Sequence, residues 1–208
     1  MTSATQGQGR TRGQGRGRPA TVSAGELARA ALTLWDQRGY ENVAMSEVAA
    51  AAGVNERTLF RYFASKSDIV WGAIGTSFTD LRRQLARTPE HETLITRIRL
   101  GVLASFGLEE DPDVTRLRLR IISRTAELHS STSLPFTSWR AVIEEFATRH
   151  LRADAADLTP RVAATCVQAA TMSALIWWGT QDDGTPAEAV DRALRELESG
   201  FAQRPAPG

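Results

Sequence analysis

The chain has 208 residues, with 25 Lys plus Arg against 24 Asp plus Glu, a formal net charge of +1 and a single cysteine. That length supports a sizeable core, no stretch approaches the roughly eighteen consecutive apolar residues of a membrane span, and the lone Cys166 excludes an internal disulfide and a cysteine-built zinc site. The residues before Val22 lack the apolar run of a secretory signal, so a soluble cytoplasmic protein is expected, with no membrane partner.

Residues 1–20 read as a separate basic arm. They carry Arg10, Arg12, Arg16 and Arg18 with no acid, which leaves the rest of the chain slightly acidic. No apolar periodicity offsets the entropy of ordering this segment, so it is predicted to be disordered when free. A basic arm suits an anionic partner, against the plainer reading of a solubilising tail. Arg16-Gly17-Arg18-Pro19 also matches the core of the AT-hook, whose extended arginines enter a narrow A/T minor groove.

From Ser23 onward the apolar spacing is helical and no alternating strand pattern occurs, so the predicted fold is all-α. Ser23-x-x-Glu26 and Ser65-x-x-Asp68 have the capping-box arrangement or its acidic equivalent. Thr88-Pro89, Asp111-Pro112, Thr159-Pro160 and Thr185-Pro186 place proline just after a capping side chain, and Leu134-Pro135 does so without the cap. These signals predict nine helices, over 24–38, 45–52, 55–63, 66–86, 89–106, 112–129, 135–152, 160–178 and 186–203.

In the first helix Leu27, Ala31, Leu34 and Trp35 form one stripe, Gly39 sits where a left-handed cap is wanted, and Tyr40 is expected to pack back. The second helix offers Met45, Val48, Ala49 and Ala52. Gly53 then supplies a positive φ for a tight turn, Val54 plugs the corner and Asn55 caps the third helix. There Leu59 and Phe63 mark the buried face, which turns Arg57 and Arg61 outward with Thr58, Phe60 and Tyr62 on the flanks. A short helix exposing two arginines, a hydroxyl and a phenol fits a reader of the DNA major groove. Lys66, the only lysine, falls at the start of the fourth helix, where it can meet a phosphate.

Beyond Gly72 the helices carry scattered aromatics, which at helical spacing are core residues first of all. Cys166 lies in an apolar run and is expected to be a buried, unreactive thiol. Arg116, Arg118, Arg120 and Arg124 spread over several faces of one helix, which predicts that most are solvated. Val190, Leu194, Leu197 and Phe201 form a stripe on the last helix, and the helix before it offers Ala163, Ala170 and Ala174 for close approach, so these two helices are expected to form a dimer interface, against the plainer reading that the stripes pack within one subunit.

Residues 24–71 resemble the TetR-family DNA-binding domain, on the strength of Ala52-Gly53-Val54, Thr58-Leu59-Phe60-Arg61-Tyr62-Phe63 and Ser65-Lys66. The stretch RTLFRYFASKSDIVWG and the placement of Trp139 are similar to the mycofactocin-type branch of that family. The resemblance implies that Met45, Ser46, Glu56, Arg57, Thr58, Phe60, Arg61, Tyr62 and Lys66 face DNA, and that an arm bearing Arg16 and Arg18 reaches the adjacent minor groove. Phe60 stands where the family has a tyrosine. Val43-Ala44 replace its threonine cap of the second helix, so that helix is expected to fray or to be capped late by Ser46. The resemblance further implies three parts: the arm at 1–20, a helix-turn-helix domain at 21–71, and a ligand-binding and dimerisation domain at 72–208. Candidate pocket residues are Leu103, Phe106, Ile122, Trp139, Ile143, Phe146, Met172, Ile176 and Trp177, with Arg120, Arg124 and His129 as candidates for an anionic head group. The implied protein is a dimeric regulator, most commonly a repressor, that binds double-stranded operator DNA and leaves it when a small hydrophobic effector binds.

An enzyme is not expected. The sequence has no nucleophile elbow, no Gly-rich phosphate loop and no helical His/Glu metal pair, and His91, His129 and His150 are dispersed, so neither cofactor nor metal is implied. The competing reading is a helical small-molecule-binding protein that does not bind DNA.

Overall fold

The computed structural model describes residues 22–105, 111–129, 134–154, 156–181 and 183–200. Among them lie ten α-helices: α1 Ala24–Arg38, α2 Met45–Ala51, α3 Glu56–Tyr62, α4 Lys66–Leu85, α5 Leu94–Ser105, α6 Pro112–Arg124, α7 Ala126–His129, α8 Leu134–Leu151, α9 Thr159–Trp178 and α10 Pro186–Glu198. No helix among the described residues is long and apolar enough to cross a membrane.

The expected capping box opens α1. Ser23 N donates to the Glu26 carboxylate at 2.7 Å and Glu26 N donates to Ser23 Oγ at 3.2 Å, which also holds the Glu26 carboxyl below its usual range. Leu27, Ala28, Ala31, Leu32 and Trp35 are buried on one face. Gly39 then turns the chain at φ +90°, and Tyr40 meets Trp35 edge to face at 5.2 Å between ring centroids. The α2 helix begins at Met45 without a cap from Ser46. Glu47 closes its first turn instead, accepting from Ala44 N at 2.9 Å and from the Arg38 guanidinium at 2.7 Å. Glu47 thus supplies one half of a capping box by satisfying the Ala44 N–H, while no side chain caps the first-turn amides as a threonine would.

Three helix boundaries differ from expectation. The fifth helix begins at Leu94, where Thr93 Oγ1 accepts from Thr96 N at 3.2 Å, while the Thr88 hydroxyl turns back and donates to Leu85 O at 2.7 Å. It therefore closes the end of α4 and opens no new helix. The helix expected over 112–129 is broken at Thr125, whose extended backbone (φ −110°, ψ 107°) separates α6 from α7. At the start of α9, Asp157 accepts from Thr159 N at 2.8 Å and takes the role expected of Thr159 itself.

The helices of the second half stack as α5 between α4 and α10, with α9 against both α8 and α10. Gly101 sets the crossing of α4 and α5, since a Cβ there would lie 2.6 Å from Leu85 Cδ2 and 3.2 Å from Leu85 Cα. Gly101→Ala is expected to cost about 1–3 kcal/mol by overpacking, read as a lower midpoint in urea with an unchanged slope.

The α6 helix lies against α1, α4 and α9, and of its four arginines only Arg124 is exposed, where the sequence suggested that most are solvated. Arg118 is only 1% exposed and donates to the backbone carbonyls of Ile69 and Val70 on α4. Arg116 stacks over Trp178 at 4.4 Å, and Arg120 and Arg124 both reach Asp36 of α1. In Arg118 a long stem buried along apolar neighbours with its head on acceptors satisfies the charge without water.

Candidate nucleic-acid interface

The α3 helix is placed by three local features. Gly53 takes φ +67°, Asn55 Oδ1 accepts from Thr58 N at 2.7 Å, and the wholly buried Leu59 anchors the inner face. The opposite face is outward. Glu56, Arg57, Phe60 and Arg61 are all exposed, Phe60 at 47%, which is unusual for a large apolar ring. Among the described residues neither Arg57 nor Arg61 takes part in an ion pair. Arg61 lies over the Tyr62 ring at 5.2 Å, still at the surface. Most other arginines around this domain do pair, as Arg29 does with Asp111 and Arg38 with Glu47. Two uncompensated guanidiniums on one short helix face leave their donors available to phosphates or base edges.

The other residues expected at this surface divide. Ser46 is exposed, whereas Met45 and Thr58 are half-buried and Met45 packs against the core. Tyr62 is half-buried, its hydroxyl donating to Val22 O at 3.0 Å. Lys66 is not a solvated charge. Its Nζ donates to Tyr40 O at 2.8 Å and sits 4.9 Å from the centre of the Tyr40 ring, tying α4 to the loop after α1. Arg16 and Arg18 lie outside the described residues.

This unit is joined to the rest of the chain by charge as well as packing. Asp36 Oδ1 and Oδ2 accept from Arg120 at 3.2 and 3.0 Å, Arg124 adds a contact at 3.3 Å, and Arg29 reaches Asp111 at the start of α6 at 2.7 Å. Arg120 and Arg124, proposed on sequence for an anionic ligand, are thereby committed to α1. A cleft of about 260 Å³ opens at this junction, lined by Trp35, Asp36, Tyr40, Glu41, Arg124 and Thr125 among others. Burial, reinforced by Glu127 and Asp68, pushes the Tyr40 hydroxyl up to about 12. None of these cross-domain partners carries a signal in the sequence.

Of the candidate pocket residues, Ile122, Trp139, Ile143 and Phe146 are buried in the core, with Leu103 and Met172 packed against it and Ile176 half-buried. Trp177 departs from expectation: it is 46% exposed on the outer face of α9, with Arg192 stacked over it at 4.3 Å. Phe106 lies outside the described residues, as does Phe201. Cys166 is exposed rather than buried, because its register falls on the same outer face of α9. The stripe on α10 is used internally, since Val190 and Leu194 are fully buried against the rest of the chain.

Residues 27–71 match the family described as bacterial regulatory proteins, tetR family, and residues 74–202 match one described as the MftR C-terminal domain. The chain is 29% identical over 186 residues to a protein of Mycobacterium tuberculosis strain H37Rv named as mycofactocin biosynthesis transcriptional regulator MftR, covering 89% of this chain and 94% of that one. Among solved structures it resembles the repressor SmeT of Stenotrophomonas maltophilia (TM-score 0.54, 17% identity, 86% of this chain and 90% of that one). It also resembles FadR of Thermus thermophilus, solved in complex with lauroyl-CoA (TM-score 0.50, 21% identity, 89% of this chain and 98% of that one). At these identities the structural likenesses speak to the fold alone.

Proposed function

Because the chain belongs to the TetR family of bacterial regulators, we propose that it is a sequence-specific DNA-binding repressor released from its operator by a small hydrophobic ligand. The observation that carries this reading is the outward face of α3, where Arg57 and Arg61 stand exposed without carboxylate partners on a helix fixed by Gly53, Asn55 and Leu59. Such a face has no structural task inside the chain, and its donors match guanine edges and phosphates. Glu56, Ser46 and Phe60 flank it, and Lys66 and Tyr62 complete the surface at its rim. The arm with Arg16 and Arg18 adds minor-groove contacts. The family is one of regulatory proteins, not enzymes.

A two-fold reader needs a second copy, and the outer face of α9 supports one. Leu158, Val162 and Trp177 are 66%, 47% and 46% exposed, and Cys166, Ala169 and Ser173 continue the same face. An apolar stripe of this length on a helix covered elsewhere by α8 and α10 is suited to pairing with its symmetry mate. Half-sites about 34–36 Å apart, or a multiple, are then required. Val162→Glu is expected to turn the dimer into a monomer by light scattering at micromolar concentration, and to abolish operator binding while helix content by circular dichroism is retained.

The test of function is a gel-shift titration with the protein's own promoter, using the full chain and a truncation starting at Ala20. Nanomolar binding that exceeds random DNA by about a thousandfold or more supports the reading, and equal binding to both refutes it. The truncation is expected to lose affinity for A/T-flanked sites.

A further inference from the structure

Between α8 and α9 lie hydrogen-bond donors that the chain itself supplies with few acceptors. Arg140 on α8 is half-buried, yet its one polar contact is to Gln168 Oε1 at 3.5 Å, and no carboxylate pairs with it among the described residues. The other partly buried arginines each have a closer hydrogen bond, Arg97 to Thr88 and His150, Arg99 to Asp191, Arg116 to Gln181 O, Arg118 to Ile69 O and Val70 O, and Arg120 to Asp36, although Arg99 Nε is left buried without a partner. Gln168 is 6% exposed on α9, and with its oxygen turned to Arg140 its amide N–H groups have no acceptor assigned. One turn on, Thr171 is also 6% exposed, and its hydroxyl has no hydrogen-bond partner at all. Of the three, the Thr171 hydroxyl is the buried group left without a partner; such a group is costly and rare, and it marks a place where something else supplies the acceptor.

The donor inventory defines what is missing. A guanidinium only donates, the free end of Gln168 donates, and the Thr171 hydroxyl donates most readily where acceptors are offered. Three donors, one of them charged, in an otherwise apolar layer with Trp139 and Ile143 buried on α8 beside Arg140, call for a compact anion carried on an apolar body. We propose that Arg140, Gln168 and Thr171 form the head-group anchor of the effector site, and that the effector is an apolar carboxylate. This rests on the reading of the chain as an effector-responsive regulator, and names the chemistry of that effector.

The experiment compares decanoate with decanol, which share a chain and differ in the head, by isothermal titration on the full chain and on Arg140→Met and Thr171→Val. Decanoate is expected to bind the wild-type protein and to lose about 10–100-fold in affinity in Arg140→Met, which keeps the stem but not the charge. Thr171→Val is expected to weaken decanoate severalfold while raising the Tm of the unliganded protein by about 2–4 °C, because it replaces an unsatisfied buried hydroxyl by a methyl. A structural threonine would give the opposite sign in Tm. Failure of decanoate to bind, equal binding of decanoate and decanol, or an unchanged decanoate affinity in Arg140→Met would overturn the proposal. Decanoate binding through Arg140 that leaves operator affinity untouched would instead refute the effector reading and leave the site standing, since operator release is measured separately by gel shift.

Discussion

Arg118→Ala is expected to lower the stability of the protein by about 2–4 kcal/mol, and the Tm by about 4–16 °C. The side chain is wholly enclosed, and its guanidinium holds two successive carbonyls of α4, those of Ile69 and Val70, from α6. Truncation removes the stem that fills this space and the donors that satisfy the carbonyls on that side. A cavity and a weakened α4–α6 contact result. Because α4 begins with Lys66 on the Tyr40 carbonyl and α6 grips α1 through Arg120, Arg124 and Asp111, the loss is not confined to one helix. Calorimetry is expected to show a single lowered transition in this variant. A wild-type Tm in Arg118→Ala would mean that the buried charge contributes nothing net, its desolvation cost matching its hydrogen bonds.

The second large effect is on DNA. Arg57→Ala and Arg61→Ala are each expected to cost about 1–3 kcal/mol of operator binding if they read base edges, or roughly 5–150-fold in Kd. They stand one turn apart on α3 with the same exposure and no competing acid, so the double variant need not show the sum. A base contact lowers affinity for operator more than for random duplex. A phosphate contact lowers both equally and flattens the dependence on salt. Lys66→Ala is the contrasting case, expected to reduce the salt slope by about one unit if its ammonium leaves Tyr40 O for a phosphate on binding. An unchanged slope would assign Lys66 to the internal bond at 2.8 Å alone.

Local physics made much of the N-terminal domain legible. The capping box at Ser23, the positive φ at Gly39 and Gly53 and the Asn55 cap were all readable, as was the inward Leu59 opposite Arg57 and Arg61, since each depends on residues within about one turn of its partner. The same reasoning erred where a side chain had a choice of neighbours. Thr88 closes the helix behind it and does not start the one ahead, and Glu47 ties down the Ala44 N–H at a helix start that has no side-chain cap. Thr125 breaks a helix whose apolar periodicity runs on through Leu128, which the pattern alone did not reveal.

What the sequence by itself determined is therefore the all-helical class, the turn at Gly53 and the exposed basic face of α3, all products of short-range sterics and periodicity. Only the tertiary structure decided which arginines are free to meet a partner. Arg118 meets carbonyls 49 and 48 residues away, Arg120 and Arg124 meet an aspartate 84 and 88 residues away, and Arg140 is left with a single amide oxygen 28 residues on. It likewise turned Trp177 and Cys166 outward and Val190 and Leu194 inward. A helical stripe specifies that one side is covered, but what covers it depends on how the helices cross, and that is settled by packing of the whole chain.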